Sequence, residues 1–319
     1  MSAYPRGGAE RDAWILARRS ARNALDPARP WAFLVEDERS ASGEAVPVAT
    51  VFLTNRECPW RCLMCDLWQN TLAAETPPGA IPAQIDYALE RLPPARQIKL
   101  YNSGSFFDRR AIPPQDHAAI AARVAAFDRV IVECHPALIT DDCFRFREQL
   151  RGTLEVAMGL ETAHAEVLER LNKRMTLEQF SAAADRLRRH GVDLRVFILV
   201  QPPLMQEAEA LKWAARSLEF AFDCGAMAAT LIPTRAGNGA MEELAARGEF
   251  SPPKLATVEA AAAHGIALGK GRVFVDLWDL RRTPGCASCH DRRMARLHTM
   301  NLQQTVLPPV LCEACGGTT

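Results

Sequence analysis

Six short apolar runs, Val48–Leu53, Gln97–Tyr101, Val130–Cys134, Leu154–Leu160, Leu194–Val200 and Ala226–Ile232, alternate with helical patterns along this chain. This alternation constrains the fold more than any other feature. The runs are mostly unbroken, as expected for strands of a parallel sheet covered on both faces. Between them, Ile85, Leu89 and Leu92 recur at helical spacing, as do Leu211, Ala215, Leu218 and Phe222. Thr176 and Gln179 supply a capping box for a third helix, and Gly191 a stop. Six βα units in a row imply an α/β barrel or open sheet. No GxGxxG follows the first run, which disfavours a dinucleotide-binding doubly wound sheet. Three regions are expected: an N-terminal helical extension (1–44, with a helix over 9–25), an α/β core (45–270), and a C-terminal strand with a cysteine-rich tail (271–319).

The 319 residues carry 38 Lys+Arg against 38 Asp+Glu, so no global basic field is available to capture nucleic acid. The N-terminus places charges where a signal peptide needs an apolar core. No apolar run approaches the ~18 residues of a spanning helix, so no membrane association is expected. The expected address is the cytoplasm. Thiols stay reduced there, so ten cysteines point to metal rather than to disulfides.

Three of those cysteines crowd into CPWRCLMC, directly after the first apolar run. Cys58-x3-Cys62-x2-Cys65 has the spacing of a compact loop whose thiolates converge on one centre, as in iron–sulfur sites. Three thiolates rather than four leave one iron of a [4Fe–4S] cube open to another ligand. The loop follows a strand, and parallel αβ barrels place their chemistry at the carboxyl ends of strands. Pro59 stiffens it. Arg56 and Arg61 could offset the cluster's charge and Glu57 oppose them, although solvated surface charges are the plainer reading of all three.

At these residues the chain resembles the radical S-adenosylmethionine (SAM) enzymes, whose hallmark is a Cys-x3-Cys-x2-Cys loop after the first strand of a partial (β/α)6 barrel. The resemblance implies a partial TIM-like barrel, a [4Fe–4S] cluster on Cys58, Cys62 and Cys65, and SAM on the open iron. It also implies a flavodoxin- or ferredoxin-type reductant. Met64 stands where the family usually has an aromatic, and offers a polarizable surface for an adenine. Asn102-Ser103-Gly104-Ser105 occupies the family's Gly-Gly-Glu slot for the methionine amino group. Gly159-Leu160-Glu161-Thr162 resembles a segment of the branch containing the Elongator catalytic subunit, methylthiotransferases and coproporphyrinogen dehydrogenase. Glu161 would then face the methionine or ribose of SAM. Glu133 ends the third run in a Glu-x-Arg-Pro-like segment, where His135 replaces the arginine and receives no role. IKLYNSGSFFD, LEVAMGLETA, LNKRMTLEQF and the tail resemble the archaeosine-biosynthesis branch and its bacterial relatives. Substrates of two kinds follow, a modified nucleoside in RNA or a small metabolite, and the neutral charge does not favour RNA.

The tail holds two CxxC knuckles, Cys286/Cys289 and Cys312/Cys315, a spacing that marks a four-thiolate site. Zinc and an auxiliary iron–sulfur cluster both satisfy it. Cys134, Cys143 and Cys224 read as small core hydrophobes. Arg281, Arg282, Arg292, Arg293 and Arg296 form a local basic surplus, able to touch phosphates but more simply a solvated face. Asn55, Tyr101, Gln201, Thr234 and Arg235 fall at strand ends and are candidate pocket residues by topology. Two rival functions remain at this level: an iron–sulfur electron carrier without SAM chemistry, and a zinc-ribbon nucleic-acid binder.

Overall fold

The computed structural model describes residues 4–278, 280 and 285–315. Helix α1 (Gly8–Leu16) leads into strands β1 (Ala32–Arg39) and β2 (Ala45–Phe52). Then follow α2 (Ala80–Leu89), β3 (Gln97–Tyr101), α3 (His117–Arg123), β4 (Arg129–Glu133), α4 (Asp141–Gln149) and β5 (Thr153–Glu161). The second half runs α5 (Ala165–Arg170), α6 (Leu177–Arg189), β6 (Asp193–Val200), α7 (Glu207–Asp223), β7 (Ala228–Pro233) and α8 (Ala240–Ala246). It ends with α9 (Leu255–Ala267), β8 (Arg272–Val275) and α10 (His290–Gln303). Among the described residues no helix is long and apolar enough to cross a membrane.

The strands form one sheet in sequence order; β1 and β2 pair antiparallel and every later pair is parallel. The six expected runs are β2 to β7. One strand was not expected: β1 lies inside the segment read as a helical extension, where α1 stops at Leu16 rather than running to residue 25. β8, in the region expected to hold a C-terminal strand, extends the sheet beyond the six.

The sheet curls. Flat strands five places apart would stand roughly 24 Å from one another, yet Arg195 Nη1 on β6 donates to Glu38 Oε2 on β1 at 3.2 Å. The outward faces of the strands carry the apolar core, including Val51, Leu100, Val132, Val156 and Val196, under the helices. The lumen face is charged at its amino-terminal end. Glu155 accepts from Arg195 (2.6 Å), Arg129 (2.8 Å) and Arg272 (3.2 Å), Arg129 also pairs with Asp193, and Lys99 with Glu36 and Glu38. This ion-pair floor closes the barrel beneath the carboxyl-terminal mouth.

α6 forms as its caps dictate. Thr176 Oγ1 accepts from Gln179 N, Gln179 Oε1 accepts from Thr176 N, and Gly191 takes φ +64° just past the end. Helix α10 packs on both β1 and β8, the two edges of the open sheet.

Candidate active site

The three-cysteine loop leaves β2 at the carboxyl-terminal mouth of the barrel. Cys58, Cys62 and Cys65 are half-buried and none is in a disulfide. Burial pushes each thiol up to about 12. A metal bound by these sulfurs would displace those protons, because thiolate ligation couples binding to deprotonation.

Two of the three charges beside the loop, Glu57 and Arg61, are not a solvated face. Glu57 is 9% exposed and accepts from Arg19 at 2.6 Å and from Arg22, with Arg61 at 3.1 Å. Its carboxyl stays below the usual range: burial would raise it, and Arg19 with its neighbours outweighs burial. Arg61 also donates to Cys58 O. Arg56 fits the plainer reading, pairing with the exposed Glu75. Asn238 Nδ2 holds the loop's far end through Leu63 O (2.8 Å) and Cys65 O (3.2 Å).

Opposite the thiols lie the ends of β3, β4 and β5. A Cβ on Gly104 would stand 3.2 Å from Cys58 Cβ, so glycine lets this backbone press against the loop. Asn102 N donates to Glu133 Oε2 at 2.9 Å, and the amides of Ser103 and Gly104 also bond this carboxylate. Burial nevertheless dominates and lifts Glu133 to about 7. Both side-chain amide atoms of Asn102 are buried without a partner, as are Asn55 Oδ1 and Gln201 Oε1. Such orphans are what a bound polar ligand would satisfy. Ser105 Oγ is engaged elsewhere, accepting from His135 N.

Glu161 sits at a β-bulge with φ +66°, and Ser103 and Gln201 are likewise left-handed at the ends of β3 and β6. Strained non-glycine residues of this kind gather at functional sites. Glu161 Oε1 pairs with Lys173 Nζ at 2.7 Å. The sequence reading missed Lys173. Burial would lower this ammonium's affinity for its proton, and Glu161 and the thiols of Cys62 and Cys58 reverse that, so it stays charged. Its turn is held from three sides: Leu63 N donates to Leu171 O, Asn172 Nδ2 to Arg61 O, and His135 Nε2 bonds Lys173 O at 3.0 Å. Asn172 and Arg174, flanking it, are both left-handed at φ +59°. The available signal was a lysine in an otherwise buried stretch, LNKRM, which also carried the family likeness.

His135 is fully engaged. Its Nδ1 accepts from Ala137 N, its ring stacks on Trp60 at 3.7 Å, and burial lowers its pKa to about 3, so it stays neutral. Met64 lies between two small apolar clusters, one with Leu63 and Met241, the other with Leu199 and Met205. Tyr101 faces the lumen between Phe52 (6.3 Å) and Phe197 (6.0 Å). Thr234 turns its hydroxyl to Val200 O, and Arg235 pairs with Asp66 beside the loop.

In the tail the four sulfurs of Cys286, Cys289, Cys312 and Cys315 lie within 4.8 Å of one another. Arg293 and Arg296 are not a solvated face, since both bind the buried Glu259 of α9, at 2.8 and 3.1 Å. Arg292 points at Leu311 O. Arg281 and Arg282 lie outside the described residues. Cys134 and Cys143 are buried and Cys224 half-buried.

An uncharacterized protein of Methanocaldococcus jannaschii is 24% identical over 250 residues, covering 73% of this chain and 68% of its own length. The archaeosine synthase subunit beta of Methanosarcina acetivorans is 26% identical over 245 residues, 70% of this chain and 69% of that one. Among solved structures, Elp3 of Methanocaldococcus infernus matches with a TM-score of 0.48 at 16% identity, covering 62% of this chain and 51% of that one. Methylornithine synthase matches at 0.47 and 13%, covering 68% and 61%. This chain thus spans about half to three-fifths of the solved chains it matches. The Radical SAM superfamily profile covers residues 52–214, which take in the three-cysteine loop, the Asn102–Ser105 turn, Glu133, Glu161 and Lys173. The chain belongs to the radical SAM superfamily, enzymes of SAM-dependent radical chemistry whose membership implies a [4Fe–4S] cluster and SAM.

Proposed function

We propose that Cys58, Cys62 and Cys65 hold the cluster, and that SAM lies across the mouth on Asn102–Ser105, Glu133, Glu161 and Lys173. The observation supporting this is one juxtaposition: three unpaired thiols beside a buried ammonium–carboxylate pair and a turn whose Asn102 side-chain amide has no partner. A cluster held there would supply one-electron reduction of SAM, with the electron drawn from an external reductant, and so open hydrogen-atom abstraction from a substrate. The chain's own residues do the positioning. Lys173 supplies a fixed positive charge for the SAM carboxylate, and Glu161 orients it. Glu133 and the free amide of Asn102 offer acceptors for the amino group. Arg19, Arg22 and Arg61, gathered on Glu57, keep the loop in place.

The substrate reading is a modified nucleoside. Support comes from the half-buried rings of Phe52, Tyr101 and Phe197, with the exposed Trp278 6.3 Å from Phe52; such rings stack planar bases. The relatives named archaeosine synthase subunit beta agree with that class and with a second subunit as partner. Anaerobic reconstitution tests the reading. About four irons should load at the loop, disappear in Cys58→Ala/Cys62→Ala/Cys65→Ala, and yield 5′-deoxyadenosine from SAM under reduction. Intact SAM with a loaded cluster overturns it.

A further inference from the structure

The tail geometry separates two kinds of metal site. Cys286 and Cys312 sulfurs stand 3.8 Å apart, as do those of Cys289 and Cys315, and no disulfide joins them. Four thiolates at about 2.3 Å from one zinc form a tetrahedron with edges of about 3.8 Å. In an iron–sulfur cube each thiolate binds a different iron and points away from the centre, which spreads the sulfurs farther. The spacing selects a single ion. Four thiolates also fill its coordination shell, so the ion has no position left for a substrate and its part is structural.

What it would hold together is visible in the sheet. Among the described residues β8 is the last strand of the sheet, and α10 covers its outer edge with side chains. Asn301 Oδ1 accepts from Val275 N and its Nδ2 donates to Val275 O, at 2.8 and 2.9 Å. Gln304, just past the helix, does the same for Val273, at 2.7 and 2.9 Å. Two amides thereby stand in for a ninth strand. Arg39 at the end of β1 reaches Leu302 O, and Arg272 of β8 reaches Arg39 O. Met294, Leu297 and Met300 bury the helix's inner face, and Arg293 and Arg296 tie it to Glu259. Cys286 and Cys289 lie just before this helix, Cys289 as its N-cap; Cys312 and Cys315 arrive after the chain turns back, where Arg296 binds Leu307 O and Pro308 O.

We propose that the tail binds one Zn²⁺ through Cys286, Cys289, Cys312 and Cys315, and that this ion pins α10 across the seam between β1 and β8. The helix then serves as a metal-dependent stave of the barrel. The proposal does not depend on the cluster loop.

The test uses the full chain. One zinc per chain is expected, unchanged by the triple Cys58→Ala/Cys62→Ala/Cys65→Ala variant and lost in Cys312→Ser/Cys315→Ser. Co²⁺ added to the chelator-treated wild type should give the intense visible absorption of a tetrahedral thiolate site. Removing zinc should speed hydrogen exchange at Val273 and Val275 at least tenfold and leave Val156 and Val196 unchanged; adding Zn²⁺ alone should reverse this. Iron or sulfide retained by the triple variant overturns the proposal, and so does a wild-type chain that takes up no Zn²⁺ or Co²⁺. Unchanged exchange at Val273 and Val275 after metal removal overturns it as well. The cobalt and exchange readouts use the wild type, so a variant that fails to fold does not shield the proposal.

Discussion

Replacing Glu155 by Gln tests the barrel floor. Glu155 is fully buried and accepts from three arginines. The lumen network balances Arg129, Arg195, Arg272 and Lys99 against Glu155, Glu38, Glu36 and Asp193. Glutamine keeps the shape and an acceptor but leaves one cation in excess. Stranding a charge in this way costs about 3–5 kcal/mol. Unfolding entropy of about 2.1 cal/mol/K per residue over the chain converts that to a fall in Tm of about 4–7 °C. The pH dependence is a second signature. Burial would raise the Glu155 carboxyl, but Arg195, Arg272 and Arg129 outweigh it and hold the pKa at about 2, below the usual 4.5. A depressed pKa stabilises the fold fully above 4.5 and is lost as pH falls toward 2. Wild type and variant should therefore differ most at pH 7 and converge below pH 4.5. Anaerobic thermal melts of the metal-free loop variant, with and without Glu155→Gln, read this directly. A shift below about 1.5 °C at pH 7, or one that persists unchanged to pH 3.5, refutes the reasoning. Adding Arg195→Met should recover part of the loss, since it removes the excess charge.

At the mouth, Glu133→Gln should raise Tm at pH 8 and change nothing at pH 4. Burial lifts Glu133 to about 7, so the stability it gives at low pH is lost as pH rises through that value; equal melts at pH 8 would contradict this. Lys173→Met should weaken SAM binding to the reconstituted chain by roughly 10- to 150-fold, the worth of a charge-assisted hydrogen bond of about 1.5–3 kcal/mol. Equilibrium dialysis measures it, and a loss under threefold would remove Lys173 from the site. Gly159→Ala places a Cβ 2.3 Å from Glu161 Oε1 and 2.6 Å from Lys173 Nζ, so the pair must move. Its effect on SAM affinity should not add to that of Lys173→Met. Additive losses would mean that the two residues act separately.

The strands that the sequence announced are those whose outward faces are apolar, because there burial and composition agree. β1 was hidden for a physical reason. Glu36 and Glu38 point into the lumen toward Lys99 and Arg195, so the second half of AFLVEDER is charged and the apolar run stops after Val35. The helix expected over 9–25 ends at Leu16, and the arginines beyond it serve Trp14 and Glu57 instead of a further turn. The clustering of Cys58, Cys62 and Cys65 was legible because their spacing is local. Lys173 was not, because its burial is imposed by β5, His135 and the cysteine loop, which meet only in three dimensions.

The same contrast explains why the site sits where it does. A parallel barrel filled with apolar side chains would close its own lumen. Here the lower lumen is filled by paired charges, which need fixed geometry and exclude loose packing. The upper lumen is left to half-buried aromatics and unsatisfied amides. Among the described residues, the left-handed non-glycine positions at strand termini lie at that end, at Ser103, Glu161 and Gln201. The backbone costs of those three residues, about 1–3 kcal/mol each, need a rigid base to be sustained. Glu155 and its arginines supply it from below, and the helix that seals the seam supplies it from the side.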